Sequence, residues 1–198
     1  MISPSCSLSL FIFPLLFLPI LAQTIIHGTC KVCSQQDPIV NYQFCTTSLE
    51  AASGSHHADV RGLGRISIQL TNQNVSDTRG HIKTLLKKKY SSSIKMRLND
   101  CFELYSDAVT DIKHATRSYK SKRYDEANML ISSVMDAATT CENGFKEKRN
   151  IVSPLTKRNN ATFELSGIGL SIIHILRDAT KLEQNPLHEK PHYFRLVV

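Results

Sequence analysis

Two apolar stripes of helical spacing, separated by a short polar break, dominate the region from about residue 94 to residue 145, and each contains a cysteine. The apolar side chains recur at steps of three and four residues, as on one face of a helix. They are Leu98, Cys101, Phe102, Tyr105, Ala108, Val109, Ile112, Ala115 and Tyr119 in the first stripe, and Ala127, Leu130, Ile131, Val134, Ala138, Cys141 and Phe145 in the second. Because the break at residues 120–125 is only long enough for a turn, the two helices must fold back antiparallel. Cys101 and Cys141 then lie at similar levels on facing stripes, so either a disulfide or two buried thiols is expected.

The first 22 residues have the character of a secretory signal peptide. Residues 7–22 are almost entirely apolar, and no charged side chain precedes His27. The run is interrupted by Pro14 and Pro19 and is short for a transmembrane helix, although a membrane anchor is the alternative. We therefore expect cleavage after Ala22 and a secreted, extracellular protein.

Secretion favours disulfides among the cysteines of the mature chain. One of the six cysteines leaves with the signal, and five thiols in an oxidising compartment suggest two bridges and one leftover. A bridge between Cys30 and Cys45 would close a hairpin within residues 23–50. Cys33 is the rival of Cys30 for this bridge. A lone thiol there, in a loop and without a matched histidine, is a weak candidate nucleophile.

The rest of the sequence predicts two more long helices, without strand-like alternation of useful length. A linker at residues 51–58 leads into an apolar stripe that continues to about Lys89. A last helix is expected from about Asn159 to Ala179. The predicted fold class is all-α, an up-and-down four-helix bundle behind an N-terminal helical hairpin.

This organisation defines the expected domain boundaries. Residues 1–22 are the signal peptide, and residues 23–180 form one domain. Within that domain residues 23–50 form the hairpin and residues 57–180 the bundle. The proline-containing segment 181–198 is expected to be a disordered tail.

The chemistry in the sequence favours a binding protein over an enzyme. The net charge of +7 favours anionic partners such as acidic proteins or acidic polysaccharides, including pectin. We find no phosphate loop, serine elbow, metal cluster or nucleic-acid motif, so no metal, cofactor or nucleic-acid partner is expected. Carboxylate pairs such as Asp136 and Glu142 are interpreted as solubility features of exposed helix faces. Two sequons, at Asn74 and Asn160, predict N-glycosylation.

Several short motifs resemble those of the plant invertase/pectin methylesterase inhibitor family. They are Gly28-Thr29-Cys30, Asn41-Tyr42-Gln43-Phe44-Cys45 with Ser48-Leu49, Gly62-Leu63-Gly64, Leu98-Asn99-Asp100-Cys101 with Leu104-Tyr105, and Thr140-Cys141-Glu142-Asn143-Gly144-Phe145-Lys146-Glu147. The resemblance covers roughly residues 25–177. It implies bridges Cys30–Cys45 and Cys101–Cys141, with Cys33 as an extra. It also implies the same bundle and a non-catalytic inhibitor that docks on the substrate cleft of a plant cell-wall enzyme.

The resemblance further implies a target-binding segment at the turn that opens the third bundle helix. Some invertase inhibitors carry Pro-Lys-Phe there, and this chain has Lys122, Arg123, Tyr124 and Asp125, which retain a cation before a ring but lack the proline. A cation and a ring at a helix start could enter a carboxylate-lined sugar cleft. Alternatively, Tyr124 only staples the helix start and the cations are solvated.

Three functions follow as hypotheses. The first is inhibition of invertase (β-fructofuranosidase), and the second is inhibition of pectin methylesterase (pectinesterase). For the second, the resemblance implies the outward faces of the second and third bundle helices, around residues 113–120 and 125–133. The third is a secreted helical-bundle binding protein without an enzyme target, such as a pollen allergen.

Overall fold

The structure, a computed structural model, describes the backbone of residues 13–147 and 151–184 and the side chains of residues 25–147 and 151–181. In those residues the regular structure is entirely helical. It comprises α1 (Phe13–Gln36), α2 (Tyr42–Glu50), a 3₁₀ turn (Ser55–His57), α3 (Val60–Leu86), α4 (Ser92–Lys120), α5 (Tyr124–Lys146) and α6 (Thr156–Gln184). The predicted all-α class is confirmed. Within the described range, no helix is long and apolar enough to span a membrane.

Helices α3 to α6 form the up-and-down bundle, in which each helix packs against its two neighbours around a ring. The bundle core is built from the apolar stripes recognised in the sequence. Among its fully buried side chains are Leu98, Tyr105, Ile112, Ile131 and Phe145. A second core lies between the α1–α2 hairpin and the faces of α3 and α6. The hairpin therefore covers one side of the bundle as an appendage.

Polar side chains cap three of the helix starts. Asn41 Oδ1 accepts a hydrogen bond from the backbone of α2, and Asp59 Oδ1 accepts one from Gly62 N–H at 2.6 Å in α3. Ser91 Oγ accepts from the third residue of α4. Such caps satisfy backbone N–H groups that have no partner within their own helix.

One disulfide joins α1 to α2, and a second joins α4 to α5. Cys30 in α1 is bonded to Cys45 in α2, with Cα atoms 5.7 Å apart. Cys101 in α4 is bonded to Cys141 in α5, with Cα atoms 5.0 Å apart. Among the described cysteines, Cys33 is the one without a disulfide, and the loop expected around it is wrong. Cys33 lies inside α1, fully buried in the second core, and burial raises the pKa of its thiol to about 12.

The helix boundaries differ from the expected ones mainly at the end of the chain. Helix α6 extends to Gln184, beyond the expected end at Ala179. The expected tail falls partly within this helix, and residues 185–198 lie outside the described residues. The predicted cleavage site after Ala22 falls within α1, and the side chains of the whole predicted signal, residues 1–22, lie outside the described ones. The domain limits and the signal remain predictions.

Candidate functional site

The turn between α4 and α5 carries the predicted target-binding segment and lies at one end of the bundle. Its central residue, Lys122, is exposed and has a φ of 58°, in the left-handed region that side-chain-bearing residues rarely adopt. The backbone N–H groups of Ser121 and Arg123 donate to carbonyls of the last turn of α4, at 3.1 and 2.9 Å. The backbone of the turn is therefore fixed, and its cations project from a defined position.

The ring of Tyr124 lies under this turn and does not face the solvent. Only 9% of the residue is exposed, and its ring meets that of Tyr119 edge-on, with centroids 5.5 Å apart. The Tyr119 hydroxyl in turn donates to the backbone carbonyl of Arg61 in α3 at 2.8 Å, and burial raises the pKa of Tyr119. This burial does not favour the alternative in which the ring of Tyr124 enters a sugar cleft, and target binding by the segment stays a prediction. The alternative, in which Tyr124 staples the helix start, agrees with this geometry.

Two charged members of the segment, Arg123 and Asp125, have side-chain partners in α4, α5 and α6. Arg123 Nε donates to Glu126 Oε2 at 2.6 Å, and Arg123 Nη2 donates to Ser118 Oγ at 3.4 Å. The hydrogen bond from Arg123 to Glu126 lowers the pKa of Glu126. Asp125 pairs with Arg177 of α6 at 2.8 Å. Lys122 and Arg123 are thus the exposed cations of the turn, whereas Asp125 ties the turn to α6.

Further cations from α3 lie at the same end of the bundle. Arg61 Nη2 donates to the backbone carbonyl of Lys120 at 3.3 Å and thereby partners one of the last carbonyls of α4. Arg61 and Arg65 line a cavity of about 340 Å³ together with Lys120. Sequence reasoning missed these two arginines because only the fold brings the start of α3 beside the end of α4. Their spacing of four residues on a predicted helix was the available signal.

The alternative surface on α4 and α5 is exposed but mixed in character. Lys113 and Arg117 of α4 face the solvent, and Met129 of α5 is 65% exposed. Between them Ser133 Oγ donates to Asp111 Oδ2 at 2.7 Å and links the two helices. The described part of this face therefore combines cations, a thioether and hydroxyl groups.

The two sequons meet in a polar network between α3 and α6. Asn160 is exposed in the first turns of α6, but the hydroxyl residue of its sequon, Thr162, is fully buried. Thr162 Oγ1 donates to Oδ1 of Asn74 at 2.6 Å, and Asn74 is half-buried on α3. In the folded structure, Asn160 is therefore more accessible for the attachment of a glycan than Asn74.

The same network buries one of the carboxylates that were interpreted as surface features. Glu142 is only 8% exposed and accepts hydrogen bonds from Thr156 Oγ1 and Asn159 Nδ2, both at 2.8 Å. Asn159 Oδ1 also accepts from the Tyr105 hydroxyl at 2.7 Å. Glu142 thus joins α5 to α6 and, through Asn159, to α4. No group of residues that could hold a metal ion occurs in the described part of the chain.

Comparisons with known proteins agree with this architecture. The sequence profile named "Plant invertase/pectin methylesterase inhibitor" matches residues 24–172, about three quarters of the chain. The chain belongs to this family. The family consists of enzyme inhibitors, which are not themselves enzymes.

Relatives of this family member carry the names of inhibitors of two different enzymes. A protein of Platanus acerifolia named "Putative invertase inhibitor" is 44% identical over 87% of this chain and 97% of its own length. The "Pectinesterase inhibitor" of Actinidia deliciosa is 28% identical over 86% of this chain and 95% of its own length. A solved Arabidopsis pectin methylesterase inhibitor, crystallised as a mutant form, is 23% identical with a TM-score of 0.61. The structural match covers 68% of this chain and 89% of the Arabidopsis chain, and it supports the fold alone.

Proposed function

We propose that this family member is a secreted proteinaceous inhibitor of a plant cell-wall carbohydrate-active enzyme, and that the enzyme is invertase. The observation that carries the choice of target is the similarity to the Platanus relative, which is much higher than that to the pectinesterase inhibitors. Secretion to the extracellular cell wall and N-glycosylation at Asn160 and Asn74 are part of the proposal. The apolar start of the chain and the exposure of Asn160 support them.

The α4–α5 turn is the proposed docking element. Lys122 and Arg123 project from a backbone that is hydrogen-bonded to the end of α4, so little conformational entropy is lost when they bind. A cleft that hydrolyses sugars contains carboxylates, and an arginine or lysine pairs with a carboxylate by charge-assisted hydrogen bonds. Tyr124 contributes by holding the turn against Tyr119, not by contacting the target.

Variants of the turn test this proposal against invertase. Lys122→Gly removes the cation while glycine readily adopts the left-handed backbone, so the fold is retained. Arg123→Gln removes the second cation. Each is expected to weaken inhibition by about tenfold, as for charges at an interface. Lys95→Gln, near the start of α4 and at the other end of the bundle, is the matched control. Equal inhibition by all three variants would contradict the docking element.

Pectin methylesterase is the second candidate target, favoured by the exposed face of α4 and α5. Met129 of α5 is a large apolar side chain left 65% exposed, and the neighbouring helix α4 carries the exposed cations Lys113 and Arg117, a combination that suits a protein interface. Met129→Glu should then abolish inhibition of pectin methylesterase and leave inhibition of invertase intact. Loss of invertase inhibition in Met129→Glu instead would assign this face to invertase.

A further inference from the structure

Two cavities meet where α3 begins and α4 ends. The first, of about 340 Å³, is lined by Arg61, Arg65 and Lys120 among others. The second, of about 380 Å³, shares Arg65 and Lys120 and continues along α3 past Gln69 to Asn72. The two cavities are therefore neighbours, with Arg65 and Lys120 lining both, and we call the two together the α3–α4 groove.

The groove carries an excess of positive charge. Its carboxylate is that of Asp59, which is engaged in capping α3 through Gly62 N–H. Arg65 and Lys120 are exposed, and neither forms a side-chain ion pair with any described residue. Cations that lack a partner inside a concave surface attract anionic groups from solution. The ligand of the groove is therefore expected to be an anion.

Most of the other side chains that line the second cavity are neutral and polar, so the ligand is expected to carry neutral polar groups as well as negative charge. The second cavity is flanked by hydroxyl and amide side chains, those of Ser53, Gln69, Asn72 and Thr116. A hydroxyl group of a ligand can both donate to and accept from such side chains, whereas an ionised carboxylate only accepts. A matching ligand carries both carboxylates and hydroxyl groups.

The spacing of the lining residues indicates an extended ligand. Arg61, Arg65, Gln69 and Asn72 lie on one face of α3, at intervals of four, four and three residues. Eleven residues of helix span about 16 Å. A chain that repeats a carboxylate and several hydroxyl groups along its length would contact the cations and amides of the groove together. Hydrogen-bonding groups fixed on a helix suit such a repeat.

We propose that the α3–α4 groove binds an acidic oligosaccharide built of uronate units. Carboxylates of the sugar pair with Arg65 and Lys120, and sugar hydroxyls form hydrogen bonds with the amide and hydroxyl side chains of the second cavity, among them Asn72. The groove does not include Lys122 or Arg123 in its lining. Binding of the sugar therefore does not depend on the proposed inhibition of invertase, and either function can fail without the other.

Calorimetric titration of the whole mature protein with a short oligogalacturonate tests the proposal. Binding is expected at low salt and is expected to weaken as salt increases, because the contacts are ionic. Arg65→Gln and Lys120→Gln should each weaken the affinity by about fivefold, the upper range for an exposed ion pair. Lys95→Gln removes a cation from the same helix as Lys120 but about 37 Å away, and should leave the affinity unchanged. Unchanged melting temperatures establish that the variants are folded.

Two further titrations separate the chemical classes of ligand. A neutral galactan oligomer of equal length should not bind, since it lacks carboxylates. An oligoglutamate should bind more weakly than oligogalacturonate. Asn72→Ala should lower the affinity for oligogalacturonate and leave the affinity for oligoglutamate unchanged. The proposal is overturned if the groove variants bind oligogalacturonate as the wild type does. It is also overturned if oligoglutamate binds as tightly as the sugar and is equally sensitive to Asn72→Ala, which would indicate an acidic protein segment as the ligand.

Discussion

Replacing Gly64 with alanine probes the packing that holds the α4–α5 turn in place. Gly64 lies buried in α3, where a Cβ atom would overlap the Tyr119 hydroxyl and approach Ile172 Cγ2 to 2.8 Å and Tyr119 Cζ to 2.9 Å. Tyr119 is almost fully buried and cannot move without disturbing its neighbours. Its hydroxyl would leave the carbonyl of Arg61, and its ring would shift against Tyr124.

The magnitude follows from these contacts. Leaving the buried Tyr119 hydroxyl without its acceptor costs about 1–3 kcal/mol, and disturbing the edge-on ring pair costs about 0.5–1.5 kcal/mol. Alanine gains about 1 kcal/mol over glycine in a helix interior, which offsets part of the loss. We expect a net decrease of about 2 kcal/mol in the free energy of unfolding. For a domain of this size the melting temperature falls by about 4–8 °C.

Urea unfolding followed by circular dichroism measures the change, with Gly80→Ala as the matched control. Gly80 lies exposed in the same helix, and a Cβ atom there would meet nothing within 4 Å. Gly80→Ala should therefore raise the free energy of unfolding by about 0.5–1 kcal/mol. In Gly64→Ala combined with Tyr119→Phe, the loss should be smaller than the sum of the single losses. A Gly64→Ala protein as stable as the wild type would refute the reasoning.

Three further predictions concern the disulfides, the buried thiol of Cys33 and the α4–α5 turn. Cys101→Ser opens a 40-residue loop and should lower the free energy of unfolding by about 4 kcal/mol. Cys30→Ser opens a 15-residue loop and should lower it by about 3 kcal/mol. Urea unfolding measures both losses, and equal small losses would contradict the loop argument. The pKa of Cys33 is raised to about 12 in the folded state, so the native protein binds the proton more tightly than the unfolded chain. Its contribution to stability is therefore present below pH 9 and is lost as the pH rises from 9 towards 12, and Cys33→Ala should weaken this alkaline slope; an unchanged slope would refute the assignment. Arg123→Gln should raise the pKa of Glu126 towards its ordinary value in a carboxyl NMR titration, because the hydrogen bond from Arg123 is the largest influence that lowers it, whereas Lys122→Gln should leave it unchanged. A pKa that does not rise would count against the Arg123 contact.

Much of the fold could be predicted from the sequence because its main determinants are local. The three- and four-residue spacing around Cys101 and Cys141 identifies both central helices and the side that each buries. The short break between them leaves only an antiparallel pairing. The loop expected around Cys33 is wrong because α1 continues to Gln36 before the turn begins.

The candidate site was harder to predict because it depends on contacts between distant segments. A tyrosine after two cations can face the solvent or the core, and the sequence around Tyr124 does not show that Tyr119 lies beside it. The proximity of Arg61 to Lys120 requires the register of α3 against α4, which the periodicity of a single helix does not define. Glu142 has the spacing of an exposed residue, but its partners Thr156 and Asn159 come from the next helix.

Parallel inhibition titrations of invertase and pectin methylesterase with the folded mature protein test the central claim most directly. Both bridges should be verified first, so that a negative result reports on function and not on misfolding. The account predicts stoichiometric inhibition of invertase, sensitive to Lys122→Gly, with pectin methylesterase left active. Inhibition of pectin methylesterase alone, or of neither enzyme across a wide excess of the protein, would contradict it.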